Sequence, residues 1–268
     1  MNTLVGALFG LATLAVAAPQ AHAAANLIVN GDFEQFTNPS GTPSTSYQVK
    51  TDIPDTGGTN KNNPNGGTLT GWSNGGYTFL FNSGTADTSG AVETEYPGTL
   101  KLYGPGNGYN NGLPASSPTG GNFLATDSDS TFEPGAITQT ISGLTVGYAY
   151  ELSFNWAAAQ QTTFNGITTD SWGVSFGGQT YNTPTVTNPE HGFTPWRQAA
   201  FTFVPTSTTQ TLSFLAAGGP NGTPPFALLD SVALIATPEP ATWAVMAVGL
   251  LGAGFAYRSR RRPATGRA

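Results

Sequence analysis

The sequence predicts an all-β protein, an antiparallel β-sandwich of the jelly-roll kind, flanked by an N-terminal signal helix and a C-terminal transmembrane helix. Three observations carry this. Among 268 residues, 35 are Gly and 20 are Pro while only 9% are charged, which suits a turn-rich scaffold better than a helical one. Tyr150, Leu152, Phe154 and Trp156 occupy every second position, a period that buries one face of a strand and not of a helix. Short apolar runs then recur between clusters of Gly, Asn, Pro and Ser.

In chain order, Leu4 to Ala18 is apolar and rich in small residues, and Ala21-His22-Ala23 with Ala24-Ala25 offers small-residue cleavage options. Residues 1–25 therefore read as a secretory signal peptide. The sandwich is expected over residues 26–236. It contains no cysteine, so in an exported protein its stability has to come from core size, sheet hydrogen bonding or a bound ion. Between Asn26 and Thr237 four basic residues (Lys50, Lys61, Lys101, Arg197) face fourteen acidic ones. That balance argues against nucleic acid or anionic lipid as a general partner and is compatible with calcium or neutral polysaccharide.

Asn26–Val29 forms a short apolar strand that runs into the Asn30-Gly31 turn. Residues 37–67 are Gly, Asn, Pro, Ser and Thr with little apolar content, a long loop. Thr68–Trp72 and Tyr77–Phe81 read as two strands joined by Ser73-Asn74-Gly75-Gly76, a hairpin signal. Leu100–Tyr103 is a weaker strand, and Asn122–Thr126 resumes the sheet after a Gly- and Asn-rich loop. Further strands are expected at Ala136–Ile141, Tyr148–Trp156, Ser171–Phe176, Trp196–Val204, Gln210–Ala216 and Phe226–Ile235. These short strands without a convincing helix give the sandwich.

The C-terminal segment, residues 237–268, has three parts. Pro238-Glu239-Pro240 holds an extended stretch, because proline fixes φ and removes a backbone donor. Ala241–Tyr257 follows as an uncharged apolar run, about 26 Å long as a helix and so marginal for a hydrocarbon core of about 30 Å. Arg258, Arg260, Arg261 and Arg262 then place residues 258–268 on the cytoplasmic side. This order resembles the PEP-CTERM sorting tail of Gram-negative bacteria. The resemblance implies export, temporary anchoring in the inner membrane, and removal of the span by an exosortase, a transpeptidase-like membrane enzyme that passes the protein to the cell surface or matrix. Pro238, Glu239 and Pro240 would be its recognition signature and the arginines its stop-transfer signal.

Asn26–Glu34, Gly71-Trp72, Gly135–Ile141 with Tyr150–Phe154, and Leu228-Leu229-Asp230-Ser231-Val232 resemble the galactose-binding-domain-like jelly rolls, among them many carbohydrate-binding modules. In such domains a structural calcium ties the first strand to the last. The resemblance puts Glu34 and Asp230 at its ligand positions, with Asp32 as a third. Asp127-Ser128-Asp129-Ser130 lacks the Gly and Glu of an EF-hand loop and reads as a solvated turn. For a sugar, aromatic faces and amides are the expected chemistry, and the candidates are Tyr103, Tyr109, Trp172 and Trp196 with Asn110, Asn111 and Gln161 as polar partners. Trp72 and Trp156 are expected in the core. No nucleophile elbow, P-loop or dinucleotide fingerprint is present, and His191 is the one histidine of the mature region. The expectation is therefore a non-enzymatic surface protein that binds extracellular polysaccharide. A structural or adhesive matrix protein without a sugar site is the alternative, and a secreted polysaccharide hydrolase a lesser one.

Overall fold

The computed structural model describes residues 25–38, 46–50, 66–86, 100–132 and 134–237. The signal peptide up to residue 24, most of the 37–67 loop, and the sorting tail with Pro238–Pro240, the apolar run and its arginines lie outside the described residues. Ala25–Thr237 forms one compact unit.

In chain order the strands are β1 (Phe36–Thr37), β2 (Ser46–Gln48), β3 (Thr68–Leu69), β4 (Ser73–Asn74), β5 (Thr78–Phe81), β6 (Phe123–Asp127) and β7 (Ile137–Ser142). They are followed by β8 (Tyr150–Gln160), β9 (Thr168–Phe176), β10 (Gln179–Asn182), β11 (Val186–Asn188), β12 (Phe193–Phe203), β13 (Thr209–Gly219) and β14 (Pro225–Ala236). One sheet has the order β12-β8-β14-β6-β5-β2. The other runs β10-β9-β13-β7-β4, with β11 also on β9. All strand pairs are antiparallel, and β1 pairs with β3 in a separate two-stranded piece.

From β6 to β9 each successive strand lies in the opposite sheet, and the same holds from β11 to β14. This repeated crossing makes the molecule a jelly-roll sandwich rather than two meanders. It also corrects the hairpin expected at 68–81. β4 pairs with β7 while β5 pairs with β2 and β6, so Ser73–Gly76 is a corner between sheets. Asn74 holds that corner, its buried side chain accepting from Gly76 N (3.1 Å) and the Thr78 hydroxyl (3.0 Å). The strand expected at Leu100–Tyr103 is a single bridge, Leu102 to Gln161. β10 and β11 are short and polar, which is why no hydrophobic pattern announces them.

The main core fills the space between the sheets, with Trp72, Leu152, Phe154, Trp156, Trp172, Val174, Phe214 and Leu234 all buried. Trp72 donates to Asn30 O (3.0 Å), so the expected turn of the first motif is pinned to the core. A second apolar cluster covers the outer face of the β8-containing sheet. There Phe79, Phe81, Phe123, Phe226 and Leu228 meet Ala86, Leu100, Leu102 and Leu113 from the segments between β5 and β6. That sheet is consequently buried on both faces over its β5, β6 and adjoining parts.

Candidate functional site

The pairings Pro225 with Gln160 and Phe226 with Asp127 bring the end of β8, the start of β14 and the end of β6 to one end of the sandwich. Loop residues 100–112, 161–167 and 189–192 meet there. The first is stitched on by Tyr103 N to Gln160 O (3.0 Å) and Thr162 N to Lys101 O (3.0 Å). The buried amide of Gln160 joins the other two, accepting from His191 N (2.7 Å) and donating to Gly166 O (3.1 Å).

His191 has φ 55°, a left-handed conformation uncommon for a residue with a side chain. The Gln160 bond, and Gly192 N to Pro189 O at 2.8 Å, hold it there. Its ring centroid lies 4.2 Å from that of Tyr103 and 4.9 Å from that of Tyr109, and the two tyrosines meet edge-on at 4.4 Å. Tyr103 is buried and donates its hydroxyl to Phe164 O (3.0 Å), whereas Tyr109 is 36% exposed. Asn111 braces the cluster by donating to Tyr103 O (2.6 Å) and His191 O (2.9 Å). His191 Nε2 lies 2.7 Å from Asn165 Oδ1 and 3.9 Å from Glu190 Oε1, which itself accepts from Gly166 N (3.2 Å).

These groups border a cavity of about 400 Å³ lined by Tyr109, Asn110, Asn111, Pro189, Glu190 and His191. Chemically it offers ring edges, amides and one carboxylate on braced loops. Of the predicted ligand-binding residues, the fold thus brings together Tyr103, Tyr109, Asn110 and Asn111, with Gln161 half-buried at the base beside Leu102. It separates the two tryptophans from them. Trp172 is fully buried and donates to Leu228 O (3.1 Å), so its ring has no face for a ligand. Trp196 packs edge-on against Phe123 at 5.4 Å and belongs with the outer-face cluster. Residue-by-residue reading missed His191, Glu190, Asn165 and Gln160. The available signal was a Pro-Glu-His-Gly loop holding the mature region's one histidine.

The acidic candidates fall at two other places. Glu34 Oε1 accepts from Asn122 N (2.6 Å), and Asp230 Oδ2 accepts from the hydroxyls of Thr119 (2.8 Å) and Ser231 (2.9 Å). Both therefore hold the 117–122 loop, one from the first motif and one from the last strand. Asp230 is buried, Oδ1 has no partner, and burial raises its pKa despite the hydroxyl bonds. Asp32 is exposed beside Ser231 and Val232, bordering a separate cavity. Among the described residues no three Asp, Glu or His side chains stand close enough to share a metal, so Asp32 does not complete a carboxylate trio with Glu34 and Asp230.

Asp127–Asp129 is not a solvated turn: Asp127, Ser128 and Asp129 are all buried. Asp127 Oδ1 accepts from Asp129 N (2.8 Å), and Asp129 accepts from Thr131 N (2.8 Å) and Gly222 N (2.7 Å). Burial pushes the Asp129 pKa up, but the bonds from Gly222 and Thr131 outweigh it and hold the carboxyl below its ordinary range. The Ser128 hydroxyl donates to Asp170 Oδ1 (2.7 Å) across the sandwich. Asp170 is fully buried, and burial, with a smaller push from the Asp127 charge, takes its pKa up to about 8. Alternating aspartates that cap their own backbone bury their carboxylates, a turn device invisible to a search for metal ligands.

Among solved structures, TmCBM61 in complex with beta-1,4-galactotriose is similar at 11% identity and a TM-score of 0.35, covering 63% of this chain and 90% of that one. The CBM22-1 xylan-binding domain of Paenibacillus barcinonensis Xyn10C is similar at 8% identity and 0.35, covering 82% and 99%. The enzymatically active domain of the bacteriophage CBA120 tailspike protein 4 is similar at 11% and 0.33, covering 79% of this chain but 21% of that one. Similarity this distant carries no argument about ligand or activity. No curated protein matches the chain. A family model for the PEP-CTERM protein-sorting motif matches residues 236–262. Behind its all-β sandwich, the chain carries a PEP-CTERM protein-sorting motif.

Proposed function

We propose that this is an exported surface or matrix protein, processed by an exosortase at its C-terminal motif, whose sandwich binds the end of a carbohydrate chain in the cavity beside Tyr109 and His191. The observation that carries the binding reading is the braced cluster of Tyr103, Tyr109 and His191 opening onto a cavity edged by Asn110 and Glu190. Rings meeting apolar sugar faces, with amide and carboxylate groups for hydroxyls, are the recognition chemistry such a cavity offers. Its volume suits one or two sugar rings. A long groove on the β8-containing sheet is disfavoured, because the second apolar cluster covers much of that face.

Binding is favoured over hydrolysis because, among the described residues, Glu190 is the single carboxylate lining the cavity, whereas glycoside hydrolysis ordinarily requires two. For calcium, the partnerless and buried Asp230 Oδ1 fits a cation, and Glu34 reaches the same loop. We assign the two as ligands whose role would be to tie the 117–122 loop to both ends of the domain. A melting temperature raised by calcium in the parent and not in Asp230→Ala supports this, and equal response of the two removes it.

The binding reading is tested on a glycan array with the secreted domain and with Tyr109→Ala and Glu190→Gln. Terminal-sugar signals lost in both variants are the expected result. Signals that survive both substitutions would move the site elsewhere, and a blank array would favour the structural matrix reading. Sorting is tested separately, by replacing Pro238-Glu239-Pro240 with alanines: retention of the full-length chain in the membrane is expected, and normal release refutes it.

A further inference from the structure

We propose that the end of the sandwich from which the chain leaves β14 is a lipid-facing surface that seats on the membrane before the tail is removed. The proposal rests on the sorting reading for the presence of a membrane, and goes beyond it in assigning a surface of the domain.

Thr237 is fixed to the 142–149 turn, its N–H and its hydroxyl both donating to Ala149 O (2.9 and 3.0 Å). That turn is locked to the 204–208 loop by Gly147 N to Pro205 O (3.0 Å) and Leu144 N to Thr208 O (3.1 Å). The buried Leu144 and Pro205 root the two loops, and both present apolar side chains outward. Val146 is 52% exposed, Tyr148 46%, Val204 41%, and Ile235, two residues before Thr237, 38%. These are four of the larger exposed apolar side chains of the described domain, gathered on segments bonded to one another and to the exit point.

The occupant follows from chain length and charge. Three residues, Pro238 to Pro240, separate Thr237 from the apolar run, and fully extended they reach about 10 Å. A domain on so short a tether has its exit end close to whatever surface holds that run. Segments 142–149 and 204–208 contain no charged residue, in a domain that is otherwise strongly acidic. Glu151, paired with Ile235 in the ladder, is the charged neighbour at the rim. An anionic bilayer repels the acidic faces and meets least resistance at this end. Tyr148 supplies the amphipathic ring suited to the headgroup region, and Val146 and Val204 supply apolar area.

The chain has no cysteine, so single reporter sites can be introduced without background. Full-length protein carrying V146C, Y148C or, as a remote control, S130C is labelled with an environment-sensitive fluorophore and reconstituted into vesicles of phosphatidylethanolamine and phosphatidylglycerol. The expected result is blue-shifted emission at positions 146 and 148, with quenching by brominated lipid at least about twofold stronger than at 130. Equal quenching at all three positions overturns the proposal. So does a blue shift at 146 and 148 that brominated lipid leaves unquenched, which would mark a protein contact. Because the vesicles contain no processing enzyme, either result is independent of whether the Pro238–Pro240 variant is sorted in cells.

Discussion

The two halves of β8 are built on different terms. From Tyr150 to Trp156 apolar residues alternate with Glu151, Ser153 and Asn155, and inward side chains enter the core between the sheets. From Trp156 to Gln160 every residue is buried, and three of them are alanines. Ala158 faces the inter-sheet core, while Ala157 and Ala159 face the outer cluster beneath Leu102 and Leu113. A strand covered on both faces loses its alternation, and small side chains there let the covering segment approach. The first half is secured by strands of both sheets. The second depends on a covering segment that also carries Tyr103, Tyr109 and Asn111, so the outer cluster is where stability and the candidate site meet.

Removing a large ring from the first half should have the greatest effect. Phe154→Ala vacates a buried position against Phe214 and is expected to cost about 3–5 kcal/mol by urea denaturation. In the second half, Leu102→Ala is expected to cost about 2–3 kcal/mol, since a loop relaxes into the void more readily than a strand. It should also weaken any ligand bound beside Tyr109, which Phe154→Ala in the surviving folded fraction should not. Equal loss of binding in the two variants would break the division between the halves.

A further contrast, away from β8, is read by pH. Asp170 keeps its proton in the folded state up to about 8, whereas the unfolded chain gives it up near 3.8. The unfolded state therefore binds fewer protons between those values, and this group's contribution to stability falls as pH rises through that window. Asp170→Asn retains an acceptor for Ser128 and should flatten the decline, seen as a smaller drop in melting temperature from pH 5 to pH 8. Asp129 has the opposite sign: its lowered pKa gives stability above the ordinary carboxylate range that is lost on acidification. Smallest of all, Tyr109→Ala should alter folding stability by less than about 0.5 kcal/mol, its exposed ring serving the cavity and not the core.

Much of the sandwich was legible because strands such as β7, β8 and β14 write their burial into their own sequence at period two. What those strands pair with was not. Ser73–Gly76 has the composition of a hairpin turn, yet Asn74 folds it into a corner by bonds that depend on Thr78 and on the position of β7. For the site, Tyr103, Tyr109 and Asn111 could be named from loop composition, but His191 and Glu190 join them because Gln160 and Asn111 hold the 189–192 loop. Trp172 went the other way, its ring claimed by the core through Leu228 O. The roles of His191 and Trp172 are decided by partners 31 and 56 residues distant, which local pattern does not encode.

The two hydrogen bonds that Thr237 donates to Ala149 O have a mechanical consequence. β14 lies inside its sheet, flanked by β8 and, over Phe226–Leu229, by β6. A pull on Thr237 along the strand axis would load its ladder with β8 in shear, many bonds at once, instead of peeling them apart in turn.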